Sequence, residues 1–238
     1  MQNQQDNYNI TPMDNEQKLF GLSYRPTPSD RELEWDRSKV LLSKTDSKGN
    51  ILYANEAFID VCGYDDFELM DKSHNIVRHP DMPKVVFKLL WESLNKGNGF
   101  HSILKNMSKT GRYYWVFNDL KVIIDDKGDT FYTGTQKSIG SEIISNSIEP
   151  LYKKLLQIEK ASGVQSSENY LLGFLEERNT NYVGYIDNLH KVGYDNMVTY
   201  NASTPESTSE GKEVNIPKKK GFFSGFFADN GKSTPKKK

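Results

Sequence analysis

The order of apolar patterns between residues 40 and 137 most constrains what this chain can fold into. Val40-Leu41-Leu42-Ser43-Lys44-Thr45-Asp46 and Ile51-Leu52-Tyr53-Ala54 read as two strands. The turn between them, Asp46-Ser47-Lys48-Gly49-Asn50, has Gly49 available for a positive φ. A helical block follows. Asn55 is a good N-cap for a short helix over residues 56–62, Gly63 ends it, and Asp65 with Glu68 has capping-box spacing for a second. A longer helix is expected over about residues 83–96, with Met82, Val85, Val86 and Leu89 as one apolar stripe and Phe87, Trp91 and Leu94 as another. Two stripes imply cover on two sides. The sheet supplies one; a ligand, a cap, a partner or simply one large core supplies the other. Three more strands are expected at 100–107, 112–124 and 130–137, separated by Ser108-Lys109-Thr110-Gly111 and Asp125-Asp126-Lys127-Gly128. Strands on both sides of a helical block predict an α+β fold with an antiparallel sheet.

One polar stretch interrupts this pattern. Residues 74–83 read His-Asn-Ile-Val-Arg-His-Pro-Asp-Met-Pro. Function concentrates in loops, and these side chains have defined capabilities. Arg78 offers a planar donor fork suited to phosphate or carboxylate. His79 donates or accepts near neutral pH. Asp81 accepts from a hydroxyl or orients Arg78, while Pro80 and Pro83 stiffen the backbone.

Composition removes several alternatives. With 36% hydrophobic residues and a mean hydropathy of −0.70, long polar segments must lie outside the core. A net charge of −1 carries no nucleic-acid signature. The single cysteine, Cys62, excludes an intramolecular disulfide, and its apolar run Phe58-Ile59-Asp60-Val61-Cys62 makes it a small buried hydrophobe. The four histidines, His74, His79, His101 and His190, show no metal-ligand spacing, and there is no phosphate loop or kinase signature. Neither a metal site nor an enzymatic activity is expected.

Taken with Tyr53-Ala54-Asn55, Phe58, Gly63-Tyr64, Phe87, Trp91, Lys105-Asn106, Gly111 and Tyr114-Trp115-Val116, residues 74–83 resemble the FAD-binding PAS domain of bacterial aerotaxis (energy-taxis) receptors. The resemblance covers about residues 36–160. It implies a PAS fold: a five-stranded antiparallel sheet with short helices on one face, closed around a small-molecule pocket. It also implies non-covalent FAD, with Asn55, Arg78, His79, Asp81, Phe87, Trp91 and Asn106 as pocket residues. Arg78 and His79 would make the polar contacts, Asp81 would hold a hydroxyl or orient, and Phe87 and Trp91 would pack on the flavin. Each has a plainer reading: Asn55 as a helix cap, Phe87 and Trp91 as core, Asn106 as a strand end. Haem held by His79 is a rival use of such a fold, against which the polar Arg-His-Pro-Asp setting argues. The loop lacks the cysteine that light-sensing relatives use for a flavin adduct.

Four segments are expected. Residues 1–35 are a disordered or capping lead-in, in which Arg25-Pro26-Thr27-Pro28 with Glu32 and Glu34 is similar to segments preceding many bacterial PAS domains. Residues 36–140 are the PAS sensor, residues 141–200 a helical interaction region, and residues 201–238 a disordered basic-aromatic tail. In the helical region, Ile144, Ile148, Leu151, Leu155 and Ile158 follow heptad spacing, with Pro150 placing the better helix start near 149–150. A break at 163–167 precedes a second helix over about 168–192, carrying Leu171, Leu175, Tyr182, Tyr185, Leu189 and Val192, with Arg178 at one expected apolar position. Two amphipathic helices without a core of their own are expected to dimerise or to dock on another protein. The tail sets seven lysines around Phe222-Phe223 and Phe226-Phe227 against Asp229 alone, a pattern suited to an anionic membrane surface or to an acidic groove on a protein. No apolar run approaches the roughly 18 residues of a membrane span, and no signal peptide is evident, so the expected location is the cytoplasm or the inner face of the membrane. Because no output domain follows, the resemblance implies a redox sensor that signals through a separate membrane-bound methyl-accepting-type transducer. The alternative is a ligand-free PAS interaction or scaffold module.

Overall fold

The computed structural model describes residues 25–191. The expectations for residues 1–24, for Val192 and the rest of the helical region to residue 200, and for the basic-aromatic tail lie outside the described residues. Strands β1 (Leu41–Asp46), β2 (Ile51–Ala54), β3 (Phe100–Met107), β4 (Tyr113–Ile124) and β5 (Thr130–Lys137) form one antiparallel sheet in the order β2-β1-β5-β4-β3. The first and last strands pair at its centre, with Leu41 opposite Gln136 and Asp46 opposite Phe131. The helical block must therefore cross from edge strand β2 to the opposite edge, β3. Helices α1 (Glu56–Cys62), α2 (Asp66–Leu69) and α3 (Lys84–Asn95), with a 3₁₀ turn at His74–Val77, make that crossing over one face. This is the expected α+β architecture, and the strand limits fall within one residue of those read from the sequence.

Local chemistry accounts for the joints. The Asn55 side chain accepts from the Phe58 N–H at 3.0 Å, and Gly63 closes α1 at φ 70°. Glu68 accepts from the Asp65 N–H at 2.9 Å at the start of α2. Cys62 is buried in α1, and burial pushes its thiol up to about 11. Gly111 is required by geometry: at φ +82°, a Cβ there would lie 2.1 Å from the Thr27 carbonyl oxygen. That close approach lets the lead-in lie on the domain as a cap. Ser29 donates to the Gly111 carbonyl at 2.9 Å, Tyr113 to Arg31 at 3.1 Å and Leu33 to Tyr113 at 2.7 Å.

The C-terminal region corrects the expectation of uncovered helices. A helical turn α4 (Ser141–Ile143) and a π turn (Ile144–Ile148) lead into α5 (Glu149–Glu176). At Gly163 (φ 82°, ψ 173°) α5 reverses into a hairpin. The Ser167 hydroxyl donates to the Leu155 carbonyl at 3.3 Å, although in a straight helix twelve residues span about 18 Å. The second stretch is also not one helix. It breaks at residues 177–180, where Asn179 has φ 49°, and restarts as α6 over residues 182–191. Arg178 explains the break: it covers the Phe174 ring at 3.7 Å and donates to the Phe174 carbonyl at 2.8 Å, closing the helix end.

These helices already have their partner, which is the outer face of the sheet. The Tyr152 hydroxyl donates to the Ile103 carbonyl at 2.8 Å and meets the Tyr182 hydroxyl at 2.6 Å. Tyr182 stacks on Phe100 and His190 on Phe117, while His101 reaches Asp187 at 2.6 Å. Ile148, Leu151, Leu155, Leu171, Leu175, Tyr182 and Ile186 are all buried. A heptad stripe states that a helix face needs cover, not what covers it. The cover was hinted at in β4, where Tyr114-Trp115-Val116-Phe117 is apolar on both faces.

Candidate functional site: a polar-ended cavity under α3

Strand alternation builds the site. Alternate residues of β3, β4 and β5 point inward under α3: Leu104 and Asn106, Asn118 and Leu120, and Tyr132, Gly134 and Gln136. With Ser43 and Thr45 of β1, and with Phe87, Leu90, Trp91 and Leu94 of α3, they line a cavity of about 130 Å³. Lys48, His74, Asn75 and Arg78 add polar and charged groups to its lining.

One end of the cavity is a row of amides. Asn106, Asn118 and Gln136 are buried, yet the two bonds their side chains make are long and weak. Asn106 donates to Gln136 at 3.4 Å and Asn118 to the Ser102 hydroxyl at 3.5 Å. Buried amides are normally well satisfied, so this row keeps both donors and acceptors for a ligand edge. Gly134 preserves the space: a Cβ there would come within 3.1 Å of the Ser43 hydroxyl and 3.4 Å of Asn118 Oδ1. Beside Asn106, the Tyr114 hydroxyl is fully buried with no partner of good geometry. The other walls are aromatic. Trp91 meets Tyr132 edge-on at 5.8 Å, and the Arg78 guanidinium sits 4.0 Å over the Phe87 ring. Arg78 also donates to the Met82 carbonyl at 2.9 Å. Burial first, then the nearby Arg25 charge, lowers its pKa to about 10. His74 meets the Ser43 hydroxyl at 3.2 Å, and burial holds its ring at about 4, so it is neutral.

Of the seven residues expected in the pocket, Arg78, Phe87, Trp91 and Asn106 line this cavity and Asn55, His79 and Asp81 do not. Asn55 spends its side chain on the α1 cap, the Leu42 N–H and the Val40 carbonyl. His79 follows Arg78 on an extended backbone, where Arg78 pairs with Asn106 and the His79 N–H donates to the Lys105 carbonyl at 3.2 Å. Neighbours on extended chain face opposite ways. His79 therefore lies behind the strand, 3% exposed, with its ring edge-on to Tyr113 at 6.2 Å. Its Nδ1 accepts from the Asp81 N–H at 3.1 Å, and burial, then Lys105, lower it to about 4. Asp81 is held there by Lys105 at 2.8 Å rather than by Arg78. Sequence reasoning missed Asn118, Gln136 and Gly134. Their signal was a polar or small residue at an inward strand position between core residues such as Val116 and Leu120. Among the described residues no cluster of His, Cys, Asp and Glu could hold a metal ion, and no helix is long and apolar enough to cross a membrane.

Comparison with known proteins agrees with this geometry. Residues 51–135 match the family model described as PAS fold. The chain is 40% identical over 117 residues to the aerotaxis receptor of Escherichia coli K12, covering 49% of this chain and 23% of that protein. It is 26% identical over 105 residues to the nitrogen fixation regulatory protein of Klebsiella oxytoca, covering 44% of this chain and 21% of the relative. The chain thus spans less than a quarter of the length of these relatives. Among solved structures, the light-state structure of the blue-light photoreceptor Aureochrome1 LOV aligns at 18% identity with a TM-score of 0.42, covering 46% of this chain and 89% of that one. The central β1–β5 pairing, the helices over one face and the matching family model together show that residues 51–135 have the PAS fold.

Proposed function

We propose that this chain is a redox-sensing module that holds FAD non-covalently in the cavity and passes its state to a separate membrane-bound chemotaxis-type transducer. The row of under-satisfied buried amides, Asn106, Asn118 and Gln136, carries the reading. A flavin ring presents alternating donors and acceptors along one edge, and amides are the side chains that match both. Phe87, Trp91 and Tyr132 offer flat apolar walls, and Arg78 adds a cation to the lining beside Phe87. The 40% identity to an aerotaxis receptor supports the choice of flavin and of an energy-taxis partner. The flavin would supply the electron chemistry; the protein's residues bind it, orient it and exclude water. Arg78 and Trp91 must swing outward for a tricyclic ring, because about 130 Å³ is below the usual ligand-pocket range of roughly 300–1,000 Å³. That small volume favours the second reading, a ligand-free PAS interaction module.

An absorption spectrum of the purified full chain separates the two. Flavin bands that bleach on reduction support the sensor; protein that stays colourless after addition of FAD supports the interaction module. Given a flavin, Arg78→Ala should weaken binding about ten- to a hundredfold, the worth of one charge-assisted bond. Asn118→Leu should do so about tenfold. Unchanged occupancy in both variants would remove the site assignment.

A further inference from the structure

Helix α3 brings Phe87, Leu90, Trp91 and Leu94 to the cavity, yet its N-terminus has no local cap. Pro83 stands at the cap position and offers no side-chain acceptor. The first N–H groups of a helix need acceptors. Here both come from one carboxylate far along the chain: Glu159 of α5 accepts from the Lys84 N–H at 3.0 Å and from the Val85 N–H at 2.9 Å. An anion there also suits the helix dipole. One turn on, Lys88 pairs with Glu168 on the returning arm of the hairpin, and Gln165 donates to the same carboxylate at 2.7 Å. The hairpin therefore grips the cavity helix at two successive turns.

Arg78 meets the same helix start from the cavity side. Arg78 lines the cavity and donates to the Met82 carbonyl at 2.9 Å, two residues before the Lys84 N–H that Glu159 caps, and the Glu159 charge favours its charged form against that of Arg25. Glu159 and Arg78 thus hold one helix start from two sides, the first through the α3 N–H groups and the second through the carbonyl just before them. A ligand that takes up the donors of Arg78 alters the Arg78–Met82 contact and with it the helix start that Glu159 caps.

We propose that Glu159 is the positioning residue through which the cavity and the C-terminal hairpin are energetically coupled. The proposal rests on the cavity being the sensory site and names how its content reaches the C-terminal hairpin. Coupling is reciprocal: whatever changes at Arg78 changes the docking of the hairpin, and the reverse.

The test is a double-mutant cycle on the full ligand-free chain, Arg78→Gln and Glu159→Gln, read by amide hydrogen exchange of α5. Glu159→Gln keeps an acceptor and the shape but loses the charge, so the domain stays folded while α5 exchanges faster, by about tenfold. In the double variant the acceleration should depart from the product of the single effects by about threefold or more. A purely structural cap would give independent effects that multiply, and that result overturns the proposal. With FAD as probe, binding should change α5 exchange in the wild type and not in Glu159→Gln. FAD affinity should shift between the two by the same factor. If FAD binds both equally and changes α5 exchange equally, the proposal falls while the flavin reading stands. If FAD does not bind at all, the flavin reading falls and the ligand-free cycle alone decides the coupling.

Discussion

Leu155→Ala tests whether the C-terminal helices belong to the domain or wait for another chain. Leu155 is 0% exposed, its carbonyl receives the Ser167 hydroxyl of the returning arm, and it shares the core with Leu151, Leu171 and Leu175. Truncating a fully buried leucine costs about 2–5 kcal/mol, the upper end where the site cannot collapse. The hairpin is pinned on both sides, by Tyr152 on Ile103 and by Glu159 and Glu168 on α3, so little collapse is open to it. That cost raises the population of the opened hairpin roughly 30- to 4,000-fold. Amide hydrogen exchange reads it directly. Residues 149–176 and 182–191 should lose protection by such a factor, while central β1 and β5 change far less. Sizing chromatography on the same samples reads the oligomeric state. If the hairpin keeps wild-type protection while a dimer dissociates, Leu155 sits in a seam between copies and the reasoning from burial is wrong.

Two further outcomes follow from particular contacts. Gly111→Ala should lift the lead-in off the domain, because its Cβ would collide with the Thr27 carbonyl in a left-handed backbone; a cost of about 1–3 kcal/mol is expected, seen as faster proteolysis within residues 25–35, and unchanged cleavage would refute it. Stability should fall as pH drops from about 6.5 toward 4, because His74 and His79 are held neutral at about 4 in the folded chain and take up protons near their ordinary 6.5 when unfolded. The histidines' contribution is complete above 6.5 and lost through that window, with a slope of up to about 2.7 kcal/mol per pH unit for two protons. Thermal midpoints measured across the range should show a smaller slope for His79→Gln, and a slope equal to wild type would refute the assignment.

The sequence alone determined the local elements. Two-residue alternation, turn tetrads ending in glycine, and the caps at Asn55 and Asp65 act over a few residues, so strands, short helices and α3 were legible almost to the residue. The resemblance to aerotaxis PAS domains carried the fold and four of the cavity residues, Arg78, Phe87, Trp91 and Asn106. Tertiary structure decided what long-range register controls. Whether His79 or Arg78 faces the cavity turns on which of two adjacent residues bridges Asn106, a one-residue matter that reverses the side. Asn118 and Gln136 become a site only when β4 and β5 pair in register, which sets them opposite each other. The heptad stripe of α5 could not name its own cover, because burial is non-directional and any apolar face of matching size satisfies it. The choice fell to Gly163, which turns α5 back on itself, and to an outer sheet face carrying Ile103, Trp115 and Phe117, against which the hairpin closes.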